Sequence, residues 1–315
     1  AAGWLASDLW TYTWSEADRS KHIVNEITSS EKITTDDIWA ITERVSYDDV
    51  SATFIIPYLV EAMSSVADGS KVKLALDIVE NWDREWRLEA NGEYGSAELI
   101  VENWTKRLFE NVFKDDIGDE KYAMYAATNN PNNRLGPSMG SSVGSKVILR
   151  NMTSLLSNTN VYDFFNGEEP GKILSRSFTE AIDTLVIKHG SDLTQWALPA
   201  APMIWKPYNF RGVPQASEGS LVSLPAYMNR GSENNFFVAK AGRFVAFDVN
   251  PPGQSGFVAP DGTASAHSQD QMTLYSTYGT KALPFTLEEI KAAAVEIETL
   301  NDESAAYGVK VGAGL

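Results

Sequence analysis

Residues 236–249 read FFVAKAGRFVAFDV and predict a β-hairpin in the last third of the chain. Two β-like runs, Phe236–Ala239 and Phe244–Val249, flank Gly242, which suits a tight turn because glycine tolerates positive φ. A third such run follows at Gly256–Ala259. Upstream of about residue 192, apolar residues recur at helical spacing instead. Helices first and strands afterwards indicate an α+β fold rather than a wound parallel α/β sheet.

The helical part fills the first two thirds of the chain. Apolar spacing and capping residues predict seven helices before the strands and one after them. The predicted helices are Ala17–Ile27, a second one capped by Thr35-Asp36-Asp37 and reaching Val45, Ser51–Ala67, Val72–Trp82, Ala97–Phe113, Lys146–Leu156, Lys172–Ile187 and, after a capping box at Thr286, a last one to about Leu300. Residues 128–145, rich in Asn, Pro and Gly, predict a long loop.

This change from helical to strand-like sequence patterns divides the chain into a mainly helical region, residues 1–190, and a strand-rich region, residues 191–315. We expect the two regions to form one continuous structural unit.

Composition excludes several classes of protein. The 315 residues hold 26 basic and 42 acidic side chains, a formal net charge of −16. Such a surface repels phosphate backbones, so nucleic acid is not an expected partner, whereas cations such as calcium would be attracted. There are no cysteines, which excludes disulfides, thiol catalysis and zinc–thiolate sites. No apolar run approaches the ~20 residues of a membrane span.

Two short motifs suggest chemistry but do not have the right context. Gly140-Ser141-Ser142-Val143-Gly144 fits the G-x-S-x-G pattern of a hydrolase nucleophile elbow. That elbow needs a strand before the serine, and here Asn, Pro and Gly precede it, which favours a flexible loop or the start of a helix. The acids of residues 115–120 do not have the ligand spacing of an EF-hand, so we interpret them as a solvated acidic turn.

Several longer segments, taken in order, resemble one known family. They are VNPPGQSGFVAPDGT at 249–263, NRGSEN at 229–234, FRGVPQA at 210–216, and ASDLW at 6–10 followed by ADR at 17–19. Together they resemble the C-terminal part of the β subunit of the penicillin amidase (penicillin acylase) family, whose members are N-terminal-nucleophile hydrolases. The resemblance covers nearly the whole chain and is loosest over about 85–200.

The resemblance implies a fold and an activity. The fold would be part of the αββα architecture of N-terminal-nucleophile hydrolases. Family members are made as precursors that cut themselves into an α and a β subunit, and the freed N-terminal serine of the β subunit attacks a side-chain or linear amide with its own amine as base. Ala1 has no hydroxyl, so we expect the nucleophile outside this chain. The α subunit and the N-terminal part of the β subunit are then the expected partners, a small-molecule amide the substrate, and the periplasm or cell exterior the location.

The resemblance also assigns three site residues. Asp8 matches an aspartate that helps to bind a structural calcium between the subunits, a role that a hard carboxylate oxygen suits. Arg19 matches an arginine that lines the active site, and Tyr12 matches an aromatic residue near the substrate pocket. The ordinary alternatives are a helix cap for Asp8, a surface ion pair with a neighbouring acid for Arg19, and core packing for Tyr12.

Two other functions remain open at this stage. Nine tryptophans and Asn-rich loops suggest a carbohydrate- or peptide-binding module, and a homologue could have kept the fold as a scaffold without catalysis. Exposed, clustered tryptophans would favour the binding module. Trp39, Trp82 and Trp104 instead fall on apolar helical stripes, which indicates packing in the core.

Overall fold

A computed structural model describes residues 19–125, 143–199, 202–204, 221–223, 234–240, 242–250, 253–255, 259–263, 265–267, 270–276 and 278–295. Its helices are α1 Arg19–Thr28, α2 Thr35–Tyr47, α3 Val50–Ala62, α4 Lys71–Asn81, α5 Ser96–Ile117, α6 Asp119–Tyr125, α7 Val143–Leu156, α8 Pro170–His189, α9 Met272–Ser276 and α10 Leu287–Ala293. Its strands are β1 Glu93–Tyr94, β2 Leu198–Pro199, β3 Pro202–Ile204, β4 Leu221–Ser223, β5 Asn234–Lys240, β6 Arg243–Val249 and β7 Ala282–Leu283. The predicted order of helices followed by strands is confirmed.

The core lies around α5, the longest helix. It packs against α8, and α3 packs against α8 in turn. Trp104 of α5 meets Phe178 of α8 edge to face, with ring centroids 5.7 Å apart, and both side chains are fully buried. Burial of large aromatic side chains is the main source of stabilisation in such a layer, because the gain scales with the apolar area removed from water.

The tryptophans serve this packing, as their helical spacing predicts. Trp86, Trp104 and Trp196 are buried, and Trp39 and Trp82 are half-buried. In the part of the chain that the structure describes, no tryptophan side chain is exposed. The exposed tryptophan cluster expected of a sugar-binding module is therefore not found among the described residues.

The hairpin predicted from residues 236–249 is confirmed. Strands β5 and β6 pair antiparallel from Asn234 opposite Val249 to Lys240 opposite Arg243, and Gly242 has a φ of 74°. Strand β7 adds to β6, so the sheet has the order β5-β6-β7. Two further antiparallel pairs are β1 with β2 and β3 with β4.

One face of the hairpin contacts the helical part. The ring of Phe236 lies 5.2 Å from the ring of Trp39 on α2, and the ring of Tyr278 lies 4.9 Å from the same indole. Because side chains alternate along a strand, Phe237 points to the opposite face. There Phe237 contacts Phe244, which contacts Phe285, and all three side chains are exposed.

Helix α2 begins one residue earlier than predicted. The capping residue is Thr34, not Thr35, because the Thr34 hydroxyl accepts from the Asp37 backbone N–H at 3.2 Å. In return, the Asp37 carboxylate accepts from the Thr34 backbone N–H at 2.7 Å, which completes a capping box.

The interpretation of residues 115–120 as a solvated turn is wrong in part. Helix α5 continues through Asp115 and Asp116 to Ile117, and α6 begins at Asp119 directly after Gly118, whose φ is 78°. Asp119 and Glu120 are exposed as expected, but they lie in the first turn of a helix, where the helix dipole favours negative charge.

The last helix starts as predicted and ends early. Thr286 and Glu289 form the predicted capping box, but Ala294 is already extended, so α10 ends at Ala293 instead of reaching Leu300. No residue of α10 is buried, and a short helix without tertiary packing is marginal in water.

The remaining expectations about the fold lie mostly outside the described residues. Residues 126–142, which hold most of the predicted loop and the serines of the G-x-S-x-G motif, are not described, and neither are residues 256–258 of the third β-like run. The division of the chain after residue 190 stays a prediction. Among the described helices, none is long and apolar enough to cross a bilayer.

Candidate functional site

The structure describes the helix that carries one of the three predicted site residues. Arg19 is the first residue of α1, although its side chain lies outside the described part, and Asp8 and Tyr12 precede the first described residue. The roles predicted for all three residues stay predictions. The structure does describe the contacts of α1, and these contacts position the helix that carries Arg19.

Helix α1 is attached by polar contacts rather than by the core. None of the described side chains from Ser20 to Thr28 is buried, and Val24 is 56% exposed. Two cross-helix pairs join α1 to α2 and its C-terminal end. His22 contacts Asp48, and Glu26 pairs with Arg44.

The His22–Asp48 contact is short and well shielded. The imidazole Nδ1 lies 2.8 Å from Asp48 Oδ2, and the two side chains are 19% and 16% exposed. An ionised carboxylate only accepts hydrogen bonds, so the imidazole donates from Nδ1. The contact therefore fixes both the tautomer and the orientation of the ring.

Asp49, the next residue, is the centre of a buried network. Its Oδ1 accepts from the backbone N–H groups of Ser51 at 3.1 Å and Ala52 at 2.8 Å, which caps the N-terminus of α3. Its Oδ2 accepts from the Trp86 indole at 3.1 Å, and its own backbone N–H donates to the Arg84 carbonyl at 2.7 Å. Both oxygens are satisfied in a side chain with no solvent exposure.

Burial controls the ionisation of this acid. Removal from water raises the pKa of the Asp49 carboxyl to about 7, because the charged form loses hydration. The three hydrogen bonds that the carboxylate accepts oppose the shift, and the charge of Asp48 adds to it.

Arg84 lies beside this network in an unusual backbone conformation. Its φ is 72°, the left-handed region that few non-glycine residues adopt. In this conformation its guanidinium donates to the carbonyls of Val79 at 2.8 Å and Glu80 at 3.1 Å, and also to that of Trp82. The guanidinium thus satisfies the free carbonyls at the C-terminus of α4, where a cation also complements the helix dipole.

A second buried acid, Glu98, lies in the first turn of α5 and is 7% exposed. The pKa of its carboxyl is raised to about 7, mainly by burial and also by the charges of Asp83 and Glu89. The backbone N–H of Glu98 and the nearby Trp82 indole act in the opposite direction.

Gly95 allows the Glu89 and Glu98 carboxylates to approach each other. A Cβ added at Gly95 would lie 2.8 Å from Glu89 Oε1 and 3.3 Å from Glu98 Oε2, which is tighter than ordinary contact. A larger residue would therefore displace the Glu89 carboxylate, whereas the backbone sets no demand for glycine, because its φ of −77° is open to any residue.

Metal binding is not explained by the described side chains. Among them, no group of three or more His, Asp or Glu residues is arranged to hold a metal ion. Asp8 lies outside the described residues, so the predicted calcium site cannot be built from this part of the chain alone.

The buried network could be predicted only in part from the sequence. Asp49 directly precedes a helix and is a typical capping residue, a local signal that the sequence analysis did not use. Its contact with Trp86 joins residues 37 positions apart, and that of His22 with Asp48 joins residues 26 positions apart. No local pattern marks such pairs.

Comparison with known proteins identifies the family. Residues 4–292 match the family model described as Penicillin amidase. The chain belongs to the penicillin amidase family. The resemblance seen in the sequence is thereby confirmed.

Two relatives show how much of a family member this chain represents. It is 28% identical over 307 residues to penicillin G acylase from Escherichia coli, which covers 94% of this chain and 36% of that protein. A solved structure of a thermostable penicillin G acylase from Alcaligenes faecalis matches it with a TM-score of 0.74 and 26% identity, covering 92% of this chain and 53% of that chain. The chain thus spans about a third to a half of these penicillin amidase relatives.

The structural match also confirms the predicted fold class. The fold is α+β, rich in helices with few strands, and it matches the N-terminal-nucleophile hydrolase fold of the penicillin G acylase.

Glu98 makes a prediction about pH. Its pKa is raised in the folded protein, so its contribution to stability is present below pH 4.5 and is lost as pH rises through 7. We expect Glu98→Gln to remove this dependence. Relative to wild type, the free energy of unfolding of the variant should therefore rise by roughly 2–3 kcal/mol between pH 4.5 and pH 8. Thermal unfolding across this pH range measures the difference, with the exposed Glu120→Gln as control. A Glu98→Gln difference that does not change with pH would contradict the shift.

Proposed function

We propose that this chain is part of an acylase that hydrolyses the amide bond between an acyl group and an amine. The family match over residues 4–292 is the observation that carries this proposal, and the relatives it resembles are penicillin G acylases. The acyl group is not specified by any described residue. Phenylacetyl, aliphatic acyl and acyl-homoserine-lactone substrates are the candidates.

The proposed mechanism is that of an N-terminal nucleophile. A serine freed at the N-terminus of the β subunit attacks the amide carbonyl, and its α-amino group accepts the hydroxyl proton directly or through water. Backbone and asparagine donors then stabilise the tetrahedral oxyanion. We place this serine outside residues 1–315, in a part of the enzyme that corresponds to the remaining length of the relatives.

The same proposal gives the chain its partners, the α subunit and the N-terminal part of the β subunit. The exposed apolar face of the hairpin supports it. Phe237, Phe244 and Phe285 are 54%, 42% and 46% exposed, and Leu287 and Ile290 of α10 are 65% and 46% exposed. The three rings are in contact with one another, and a contiguous apolar surface of this kind is typical of an interface. The rest of the acylase is the occupant that the family match favours.

The activity can be tested on the full-length protein. We expect the processed enzyme to release amine from at least one chromogenic amide in a panel carrying the three acyl classes, and a serine-acylating reagent to abolish the release. Residues 1–315 alone should be inactive in the same assay. Processed enzyme that hydrolyses none of the panel would contradict the proposal, and reagent-sensitive turnover by residues 1–315 would contradict the placement of the serine.

Arg19 is proposed to support the active site. A cation in the first turn opposes the helix dipole, and the first turn of α1 contains no acid. A residue that is unfavourable for its own helix is easier to explain by a role in the site. We expect Arg19→Leu in the full-length enzyme to reduce kcat or self-processing at least about tenfold, with a smaller effect on stability, because one charge-assisted contact is lost.

Arg19→Lys should recover only part of this loss, since an ammonium group does not reproduce the planar guanidinium. Steady-state kinetics and a gel that follows precursor cleavage measure both effects. Lys21→Leu, which removes an exposed cation of the same helix, is the matched control. Normal processing and a wild-type kcat in Arg19→Leu would contradict the active-site role and favour the alternative that Arg19 forms a surface ion pair.

Asp8 is proposed as one ligand of a structural calcium ion, because a carboxylate is a hard ligand for a hard cation. In the full-length enzyme, we expect Asp8→Asn to lose stoichiometric, slowly exchanging calcium and to lower the melting temperature. Metal analysis after extensive dialysis is the measurement, and Asp183→Asn, which removes an exposed acid of α8, is the control. Calcium content and melting temperature equal to wild type would show that Asp8 does not bind the ion.

A further inference from the structure

We propose that His22 and Asp48 form a positioning pair that holds the N-terminal turn of α1 and, through it, Arg19. The inference rests on the active-site role proposed above for Arg19. It adds two residues to that site, neither of which contacts the substrate.

The attachment of α1 is the first step of the argument. Helix α1 packs against α2, and none of its described side chains belongs to the buried core, although Ile23 is half-buried. A helix that is not fixed by interlocking core side chains can shift along its neighbour at little cost. Its position is then set by directional polar contacts.

The His22–Asp48 pair has the geometry to set that position. His22 lies one turn after Arg19, and residues three apart lie on the same side of a helix. The contact of 2.8 Å is about four-fifths shielded from water on both sides, so water competes with it less than with an exposed ion pair. A charge-assisted hydrogen bond of this kind is directional and strong.

The Asp48 end of the pair is itself firmly held. Asp48 is followed by Asp49, which is fully buried and accepts hydrogen bonds from Ser51, Ala52 and Trp86. The Asp48 backbone N–H also donates to the Arg44 carbonyl at 3.2 Å at the end of α2. His22 is therefore bound to a rigid part of the helical core.

The second pair between the helices does not replace the first. Glu26 and Arg44 are 38% and 41% exposed, and Glu26 lies two turns from Arg19. Exposed pairs contribute little, and this one holds the C-terminal half of α1. Loss of the His22–Asp48 contact would remove the shielded side-chain pair that lies one turn from Arg19.

The consequence is a defect in catalysis with little loss of stability. A displacement of about 1 Å at a residue that orients reacting groups lowers a rate substantially, whereas the core contacts of α3, α5 and α8 are unchanged. The test compares Arg19→Leu, His22→Ala, Asp48→Asn and the double variant Arg19→Leu/His22→Ala in the full-length enzyme, with Lys21→Ala as control. Kinetics, precursor processing and melting temperature are measured for each.

We expect His22→Ala to lower kcat about tenfold with KM nearly unchanged and the melting temperature within about 3 °C of wild type. Asp48→Asn should keep most of the activity, because the amide oxygen still accepts from Nδ1. The double variant should be no worse than Arg19→Leu, since both changes act through the same side chain.

The outcomes separate the two proposals. Wild-type kcat in His22→Ala, with Arg19→Leu impaired, would overturn the positioning pair alone. Losses that multiply in the double variant would overturn it as well, because the pair would then act independently of Arg19. Wild-type kcat in Arg19→Leu would overturn the role of Arg19 and the positioning pair together.

Discussion

Asp49 joins the start of α3 to residues 84–86, the segment that leads from α4 towards α5. One oxygen caps α3, the other binds the Trp86 indole, and the backbone N–H binds the Arg84 carbonyl. Trp86 in turn packs edge to face against Trp82, which directly follows α4, and against Tyr94, which lies just before α5. Only a side chain with two acceptor oxygens can serve both the helix end and the indole, so a serine or threonine cap would leave the indole N–H unpaired.

Ionisation at this junction has a cost that the network does not fully offset, since burial raises the pKa of Asp49 to about 7 and that of Glu98 likewise. Truncation of Asp49 would nevertheless be costly, because the donors of Ser51, Ala52 and Trp86 would stay buried without an acceptor. Helix α1 follows a different principle. None of its described side chains is fully buried, and two polar pairs, His22–Asp48 and Glu26–Arg44, join it to α2 and to the residue after α2.

Local sequence patterns predict most of the helices and strands. The contacts that they do not predict join residues far apart in the chain. Helical spacing identifies α1 through α5, α7 and α8, and Gly242 marks the hairpin, because each depends on residues within a few positions. The contact of Trp39 with Phe236 joins residues almost 200 positions apart, and only the folded chain reveals it. For the site, the resemblance supplies Arg19, whereas His22 and Asp48 have no signal beyond their residue types. Asp8 and Tyr12 rest on the resemblance alone.

The hairpin carries apolar side chains on both of its faces. A sheet in water normally has one apolar face against the core and one polar face. Here Phe236 packs on Trp39 at the inner face, yet the outer face carries the exposed rings of Phe237 and Phe244. Both faces are thus built for burial, as in the inner layers of an αββα fold. This chain corresponds to 53% of the Alcaligenes faecalis acylase chain, so that relative has further protein outside the matched part. The outer face is where we would expect that further protein to pack, since it would remove the exposed rings of Phe237, Phe244 and Phe285 from water.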